Sequence, residues 1–208
     1  MPRPDLRLIV ITDARLAAPR SIIDVVRAAV SAGAPAIQLR DKTANARELV
    51  EQARALLEIT RAANAMLFIN DRIDVALISG ANGVHLGPDD IPVGAARRIA
   101  PDLLIGISTD DPETARTAEA AGASYIGCGA VFGTTSKPEV AGEAIGTERL
   151  RQVVEAVHIP VVGIGGIDAG NASQIASAGA AGCAVIGAVM KTENVAQTVR
   201  ALLNPFPH

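Results

Sequence analysis

Short apolar runs alternate with longer helix-patterned segments along the whole chain, and this alternation limits the choice of fold more than any other feature. The runs have the length and composition of buried strands. They cover residues 8–12, 36–40, 66–70, 83–86, 103–108, 125–129, 161–164 and 184–186. The helical segments that follow them cover residues 21–32, 46–63, 71–79, 93–99, 112–121, 147–156, 171–178 and 195–203. Strands that are each followed by a helix form a parallel sheet, and eight such units predict a closed (β/α)8 barrel.

A Gly-Ala pair recurs just before every second predicted strand, which supports the same architecture. The pairs occur in AGAPAIQLR, SGANGVHLG, AGASYIGCG and AGAAGCAVIG, with the glycines at Gly33, Gly80, Gly122 and Gly179. A glycine at this place stops a helix in the left-handed conformation and allows a tight turn into the next strand. Because no linker interrupts residues 1–208, we expect an α/β protein that is one single-domain TIM barrel.

Composition and charge exclude several classes of function. The formal net charge is -3 and 2% of the residues are aromatic, so the chain lacks both the positive charge and the stacking surface that nucleic acid requires. No stretch approaches about 18 uninterrupted apolar residues, so we expect no membrane span. Cys128 and Cys183 lie in apolar runs without metal-ligand spacing, which indicates small core residues in a reducing compartment. We therefore expect a cytoplasmic protein.

Polar side chains occur at the carboxyl ends of the predicted strands, where a barrel of this kind has its active site. On strand two, Gln38, Arg40 and Lys42 are spaced by two residues and share one face, which points either to the barrel mouth or to an outer rim. Asp71 follows strand three and Asp90 follows strand four. Each carboxylate either caps the helix that follows or binds a cation.

The later strands add hydroxyl groups, a lysine and glycines. Strand five ends at Ser108, strand six leads into GAVFGTTSKPEVAG with Lys137, and strands seven and eight end in GIGGI and AVIGA. Glycines let backbone amides approach a phosphate, and the loops after strands seven and eight form the usual phosphate site of such barrels. Carboxylates beside cations suggest Mg²⁺ bridging the phosphates of a small-molecule substrate. His85, near the same end, either transfers protons or is buried with a hydrogen-bond partner.

Eight motifs together resemble the thiamine phosphate synthase family. They are VITD, QLRDK, INDRIDVA, GVHLGPDD, GISTDD, YIGCGAVFGTTSK, GIGGI and AVIGAV, and they occupy the chain from about residue 8 to about residue 190. The resemblance implies an enzyme that joins 4-amino-2-methyl-5-hydroxymethylpyrimidine diphosphate to a thiazole phosphate, giving thiamine phosphate and pyrophosphate. It also implies that the carbon–oxygen bond to pyrophosphate breaks before the thiazole nitrogen attacks, so that no protein nucleophile is needed.

The same resemblance assigns a role to each matching residue. The pyrimidine diphosphate would be held by Gln38, Leu39, Arg40, Asp41, Lys42, Asn70, Ser108 and Lys137. The thiazole phosphate would be held by Thr134, Thr135, Ser136, Gly166, Ile186 and Gly187, and Mg²⁺ by Asp71 and Asp90. The catalytic residues would be Arg40, Lys42, Lys137 and Ser108, with the cations stabilising the charge that develops on pyrophosphate. Gly187 departs from the serine that is frequent in the family.

Three other functions stay open. A thiazole tautomerase of the same fold resembles the synthase but needs no diphosphate clamp, so the presence of Asp71, Asp90 and Lys137 together favours the synthase. A Schiff-base aldolase would use Lys137 as its nucleophile, although a position in a loop eight residues past Gly129 fits that role poorly. A non-catalytic protein that binds a phosphorylated ligand would show no Mg²⁺-dependent turnover. The sequence also leaves a homo-oligomer open.

Overall fold

A closed barrel of parallel strands forms the centre of the molecule in the computed structural model, which describes residues 4–133 and 144–207. The strands are β1 Leu8–Ile11, β2 Ala36–Leu39, β3 Met66–Asn70, β4 Gly83–Leu86, β5 Leu104–Ser108, β6 Tyr125–Cys128, β7 Val161–Ile164 and β8 Gly182–Val185. The helices are α1 Ala14–Ala17, α2 Ile22–Ser31, α3 Ala46–Ala62, α4 Ile73–Ser79, α5 Val93–Ile99, α6 Pro112–Ala120, α7 Gly146–Ala156, α8 Ala172–Ser177, α9 Gly187–Met190 and α10 Val195–Leu203. Each strand pairs with its neighbour in the sequence, and β8 pairs with β1. The predicted (β/α)8 fold is confirmed.

The strands are short apolar runs because both faces of the sheet are covered, one by the barrel interior and the other by the helices. Every residue of β1 (LIVI) and of β2 (AIQL) is buried. Residues two apart on a strand, such as Ile9 and Ile11 or Val162 and Ile164, line the interior. The strand ends therefore present their last inward side chains at one mouth of the barrel.

Local capping signals set where the helices begin and end. The Ser21 side chain accepts from the Asp24 amide to start α2, and Asn45 with Glu48 forms a capping box at the start of α3. The glycines of the repeated Gly-Ala pairs end helices with positive φ, as the sequence predicted. Their φ values are 100° at Gly33, 75° at Gly80, 98° at Gly122 and 89° at Gly179.

The structure corrects the eighth strand and adds two short helices. β8 begins at Gly182 rather than residue 184 and ends at Val185, so Ile186 lies outside it. A Cβ at Gly182 would lie 2.0 Å from the Leu6 carbonyl oxygen, so this glycine serves a close approach of two backbones and not a turn. Helices α1 and α9 have four residues each, which is too short for a 3.6-residue apolar period to be recognised.

Both cysteines are buried free thiols, as their apolar surroundings predicted. Burial raises the pKa of each thiol to about 12, with a further contribution at Cys128 from the negative charge of Asp110. They are therefore core residues rather than nucleophiles. Within the described part of the chain, no helix has the length and apolar character needed to cross a membrane.

Candidate active site

Two carboxylates and a lysine from three different strand ends meet at the mouth of the barrel. Lys42, three residues past β2, donates from Nζ to Oδ2 of Asp71 at 2.5 Å. Asp90, in the loop after β4, lies within hydrogen-bonding reach of the Asp71 carboxylate. We call Asp71 and Asp90 the acidic pair. Two like charges held together beside one cation form a site suited to a divalent cation.

The alternative that the acidic pair only caps helices is wrong. The N-cap of α4 is Arg72 and that of α5 is Pro92, and neither makes a side-chain capping hydrogen bond. The Asp90 carboxylate instead accepts from the Gly87 amide at 2.7 Å and closes the turn that follows β4. Capping does occur after β5, where Asp111 accepts from the Thr114 amide at 2.8 Å to start α6.

The surroundings of Asp90 disfavour its charge. Burial raises the pKa of Asp90, and the neighbouring Asp71 carboxylate raises it further, although the hydrogen bond from the Gly87 amide acts in the opposite direction. Its neighbour Asp89 is exposed. The two consecutive aspartates therefore differ in environment, and only Asp90 belongs to the cluster.

Asp71 has a backbone conformation that is uncommon for a residue with a side chain. Its φ is 63°, in the left-handed region, where aspartate and asparagine are the best tolerated non-glycine residues. The Asp71 amide donates to the carbonyl oxygen of His85 at 2.8 Å, and the Arg72 amide donates to that of Asn70 at 2.8 Å. These bonds tie the turn after β3 to β4, and so they hold the Asp71 carboxylate at the mouth.

Gln38 points into the barrel interior rather than to an outer rim. Its side chain is 2% exposed, and it lines a cavity of about 10 Å³, room for about one water, together with His85 and Tyr125. Within the described residues, Gln38 Oε1 has no hydrogen-bond partner. A buried acceptor without a partner is costly, so this oxygen is suited to accept from a ligand or a trapped water.

The loop after β2 is held by the predicted site residue Asp41 and by Thr12 and Gln52, which the sequence did not distinguish. The Thr12 hydroxyl accepts from the Arg40 amide at 3.0 Å and donates to the Arg40 carbonyl oxygen at 3.2 Å. The Asp41 carboxylate accepts from Thr43 and from Gln52 Nε2. Partial burial opposes it, but these hydrogen bonds lower the pKa of Asp41. Its carboxylate thus shapes the loop beside Lys42.

A chain of hydrogen bonds crosses the interior below the mouth. Nδ1 of His85 lies 2.9 Å from the Tyr125 hydroxyl oxygen, and Nε2 lies 2.9 Å from Ser108 Oγ. His85 is therefore buried with partners and also adjacent to a predicted site residue. Sequence reasoning missed Tyr125, although it is the only tyrosine in the chain and lies on a predicted strand.

Among the described residues, those predicted to hold the thiazole phosphate contribute mainly backbone groups after β7 and β8. Gly166 follows β7 with φ of 64° and is exposed, and its carbonyl oxygen accepts from Asn171 Nδ2 at 2.8 Å. Ile186 is the N-cap of α9 and makes no side-chain capping bond, and Gly187 opens that helix. The predicted residues Thr134, Thr135, Ser136 and Lys137 lie outside the described residues.

Comparison with known proteins gives one consistent result. A model of the family described as thiamine monophosphate synthase matches residues 8–189. The thiamine-phosphate synthase of Roseiflexus castenholzii is 49% identical over 194 residues, which are 93% of this chain and 85% of that protein. The thiamine-phosphate synthase of Moorella thermoacetica is 45% identical over 203 residues, which are 97% of this chain and 95% of that protein.

A solved structure agrees with these relatives over the whole fold. The thiamine phosphate pyrophosphorylase of Pyrococcus furiosus superposes with a TM-score of 0.89 at 45% identity, covering 97% of this chain and 96% of that one. Since the family model spans most of the chain and the relatives share nearly half of its residues, the chain belongs to the thiamine monophosphate synthase family.

Proposed function

We propose that this chain is a thiamine-phosphate synthase that joins 4-amino-2-methyl-5-hydroxymethylpyrimidine diphosphate to a thiazole phosphate. The observation that carries the proposal is the meeting of Lys42 with the acidic pair at the barrel mouth, in a chain of this family. The reaction breaks the bond between the pyrimidine methylene carbon and its oxygen, and the electron pair leaves with pyrophosphate. The thiazole nitrogen supplies the pair for the new carbon–nitrogen bond.

The donor set of the acidic pair fits Mg²⁺. Mg²⁺ is commonly bound by one or two carboxylates, with phosphate oxygens and waters as its other ligands. In the described part of the chain, no group of three or more His, Cys, Asp or Glu side chains could hold a metal ion by itself. A site of two carboxylates next to a phosphorylated substrate agrees with that preference. When bound there, Mg²⁺ would neutralise charge on the diphosphate.

In this proposal, the remaining residues bind and orient the two substrates and stabilise the charge on the leaving pyrophosphate. Lys42 and Arg40 lie on the side of the leaving pyrophosphate and stabilise its developing charge. Gln38 contributes its unpartnered carbonyl oxygen and Ser108 its hydroxyl group to the pyrimidine, with Leu39, Asp41 and Asn70 around them. The backbone at Gly166, Ile186 and Gly187 receives the thiazole phosphate. The roles of residues 134–137 rest on the family resemblance alone.

The alternative activities are not favoured by the relatives. Both the Roseiflexus and the Moorella proteins are named as synthases, neither as a tautomerase nor as an aldolase. The aldolase alternative has a direct test at Lys137. If Lys137 stabilises pyrophosphate, Lys137→Ala lowers kcat by roughly two to three orders of magnitude. A borohydride-stable substrate adduct on Lys137 would instead show Schiff-base chemistry.

The central experiment mixes both substrates with Mg²⁺ and measures thiamine phosphate and pyrophosphate in equal amounts. We expect turnover that chelation of the metal abolishes. Asp89→Asn is the matched control for Asp90→Asn, because the two carboxylates are adjacent in sequence but only Asp90 contacts the cluster. Absence of thiamine phosphate from a folded preparation would refute the function, and equal activity of the two variants would refute the metal site.

Location and assembly are part of the same proposal. Two buried free thiols suit the reducing environment of the cytoplasm, where the substrates are small phosphorylated molecules. The acidic balance of the chain gives nucleic acid no basis for binding. Light scattering on the purified protein would decide between a monomer and a homo-oligomer.

A further inference from the structure

Burial and its described hydrogen-bond partner favour one direction for the hydrogen bond between Tyr125 and His85. Its hydroxyl group is buried, and burial raises the pKa of Tyr125, so the group keeps its proton. In the described part of the chain, the only hydrogen-bond partner of that hydroxyl is Nδ1 of His85, at 2.9 Å. A buried donor without an acceptor has given up its hydrogen bonds to water and makes none in return, which destabilises the folded protein. Tyr125 therefore donates to Nδ1 of His85.

This direction fixes the position of the proton on the imidazole ring. An Nδ1 that accepts carries no hydrogen, so the proton of the neutral ring is on Nε2. Nε2 lies 2.9 Å from Ser108 Oγ and consequently donates to it.

The hydroxyl proton of Ser108 is then not used in the hydrogen bond to His85. Its oxygen accepts from His85, and Ser108 is half-buried at the end of β5, where the barrel opens. The hydroxyl proton is free to be donated toward the mouth. We propose that Tyr125 and His85 are positioning residues that hold Ser108 Oγ as an acceptor from His85 and leave its proton available, so that Ser108 donates a hydrogen bond to a substrate atom with a lone pair.

The chemical class that fits this donor is an aromatic heterocycle with an unprotonated ring nitrogen. The substrate half of the inference rests on the proposed function, since Ser108 must contact the heterocycle during turnover. The proton arrangement within the protein does not depend on that function.

The interior is shaped to hold this chain of hydrogen bonds. A Cβ at Gly106 would lie 2.2 Å from the Tyr125 ring, and a Cβ at Gly127 would lie 2.9 Å from His85 Cε1. Phe68 packs edge-on against Tyr125 with ring centroids 5.5 Å apart. Glycines on the inner faces of β5 and β6 thus leave the space that the two rings occupy, and the packing prevents Tyr125 from rotating away.

The first test measures the tautomer of His85 directly. The chain has three histidines, so their ring nitrogens in a ¹⁵N-labelled sample are few, and His85→Gln identifies the signals of His85. We expect hydrogen on Nε2 and none on Nδ1 at neutral pH in the free protein. Hydrogen on Nδ1 would overturn the inference. This measurement uses the unsubstituted protein, so it remains decisive even if a Tyr125 variant does not fold or the proposed activity is absent.

The second test is a double-mutant cycle on turnover. Tyr125→Phe removes only the hydroxyl group, and we expect kcat/KM for the pyrimidine diphosphate to fall by about tenfold, as for loss of one buried hydrogen bond. In a Ser108→Ala background, the same substitution should change kcat/KM by less than about twofold, because its effect acts through Ser108. An equal loss in both backgrounds would mean a merely structural effect and would overturn the proposal.

Thr60→Val is the matched control. Thr60 is also fully buried, and its hydroxyl donates to the Leu57 carbonyl oxygen inside α3, away from the mouth. We expect this variant to lose thermal stability as Tyr125→Phe does, but to keep kcat/KM. If Ser108→Ala turned over like the unsubstituted enzyme, the substrate half of the inference would fail, while the tautomer measurement would still decide the protein half.

Discussion

Asp71 carries a negative charge and also adopts a left-handed backbone conformation, and substitutions can test these two properties separately. Its left-handed φ of 63° costs an ordinary residue about 1–2 kcal/mol, a cost that asparagine largely avoids. We expect Asp71→Asn to keep its thermal stability while kcat falls roughly 10²–10³-fold. Asp71→Ala should lose both activity and stability. Thermal unfolding and kinetics at limiting Mg²⁺ check this, and normal turnover of the Asn variant would exclude Asp71 as a metal ligand.

At Asp90, in contrast to Asp71, we expect removal of the negative charge to increase the stability of the folded protein. Because burial and Asp71 raise its pKa in the folded protein, the ionised form that prevails at neutral pH costs folding free energy. The stability contributed by the protonated form is present at low pH and is lost as the pH rises through the raised pKa. An asparagine resembles the protonated form and can still accept from the Gly87 amide.

We therefore expect Asp90→Asn to stabilise the metal-free protein at pH 7 by no more than about 1 kcal/mol, since solvent partly screens the pair. The gain should shrink as the pH is lowered through the acidic range. Denaturant unfolding at several pH values, with Asp89→Asn as the control, measures it. A loss of stability at pH 7 would mean that the acidic pair does not repel.

Among the secondary-structure elements, the glycines that follow β7 and β8 differ in the substitutions that they tolerate. A Cβ at Gly166 would lie 2.6 Å from the Gly133 carbonyl oxygen and 2.9 Å from that of Phe132. With its positive φ, Gly166 is required by the backbone itself. A bulky substitution there would disturb the loop whether or not a phosphate binds, so Gly166→Val does not test the phosphate site.

Gly187 provides the better test, because it is the first residue of α9 and is only half-buried. Gly187→Ser adds a donor at the proposed phosphate site, and we expect it to lower the KM for the thiazole phosphate by up to about tenfold. Gly187→Ala adds a methyl group without a donor and serves as the control. Steady-state kinetics with each substrate varied in turn measure the effect. Parallel changes in both KM values would contradict a thiazole-phosphate role for α9.

For the molecule as a whole, a ligand held by groups after β2, β3 and β4 should stabilise the entire barrel, because the unfolded chain does not bring these groups together. We expect Mg²⁺ with inorganic pyrophosphate at about 100 times its Kd to stabilise the fold by about 2.7 kcal/mol. For a chain of this size, that raises Tm by about 5–10 °C. Thermal unfolding with Mg²⁺ alone, pyrophosphate alone and both together measures the linkage. Pyrophosphate could instead raise Tm by the same amount with and without Mg²⁺, in both the unsubstituted protein and Asp71→Asn. That result would contradict a site that Mg²⁺ and pyrophosphate share.

The order of apolar runs and helical segments is sufficient to predict the architecture and the end of the barrel where the chemistry belongs. Alternating strand and helix periods are local properties, and eight of them leave few ways to close a parallel sheet. The Gly-Ala pairs likewise mark helix ends through the φ of single residues. Polar groups after buried strands must lie at the carboxyl ends, so the order of elements alone predicted that Lys42, Asp71, Asp90 and Ser108 lie at one end of the barrel, while a position of Lys42 at the outer rim stayed open.

Which of these groups touch one another depends on contacts between distant parts of the chain. Whether Asp90 caps a helix or faces Asp71 depends on the turn after β4, and the direction of the Ser108 hydroxyl depends on Tyr125 and His85 from two other strands. Such contacts are set by the register of the closed barrel and by the space that Gly106 and Gly127 leave inside it. Neither register nor interior space is a local property, because both depend on residues far apart in the chain that become neighbours only when the barrel closes.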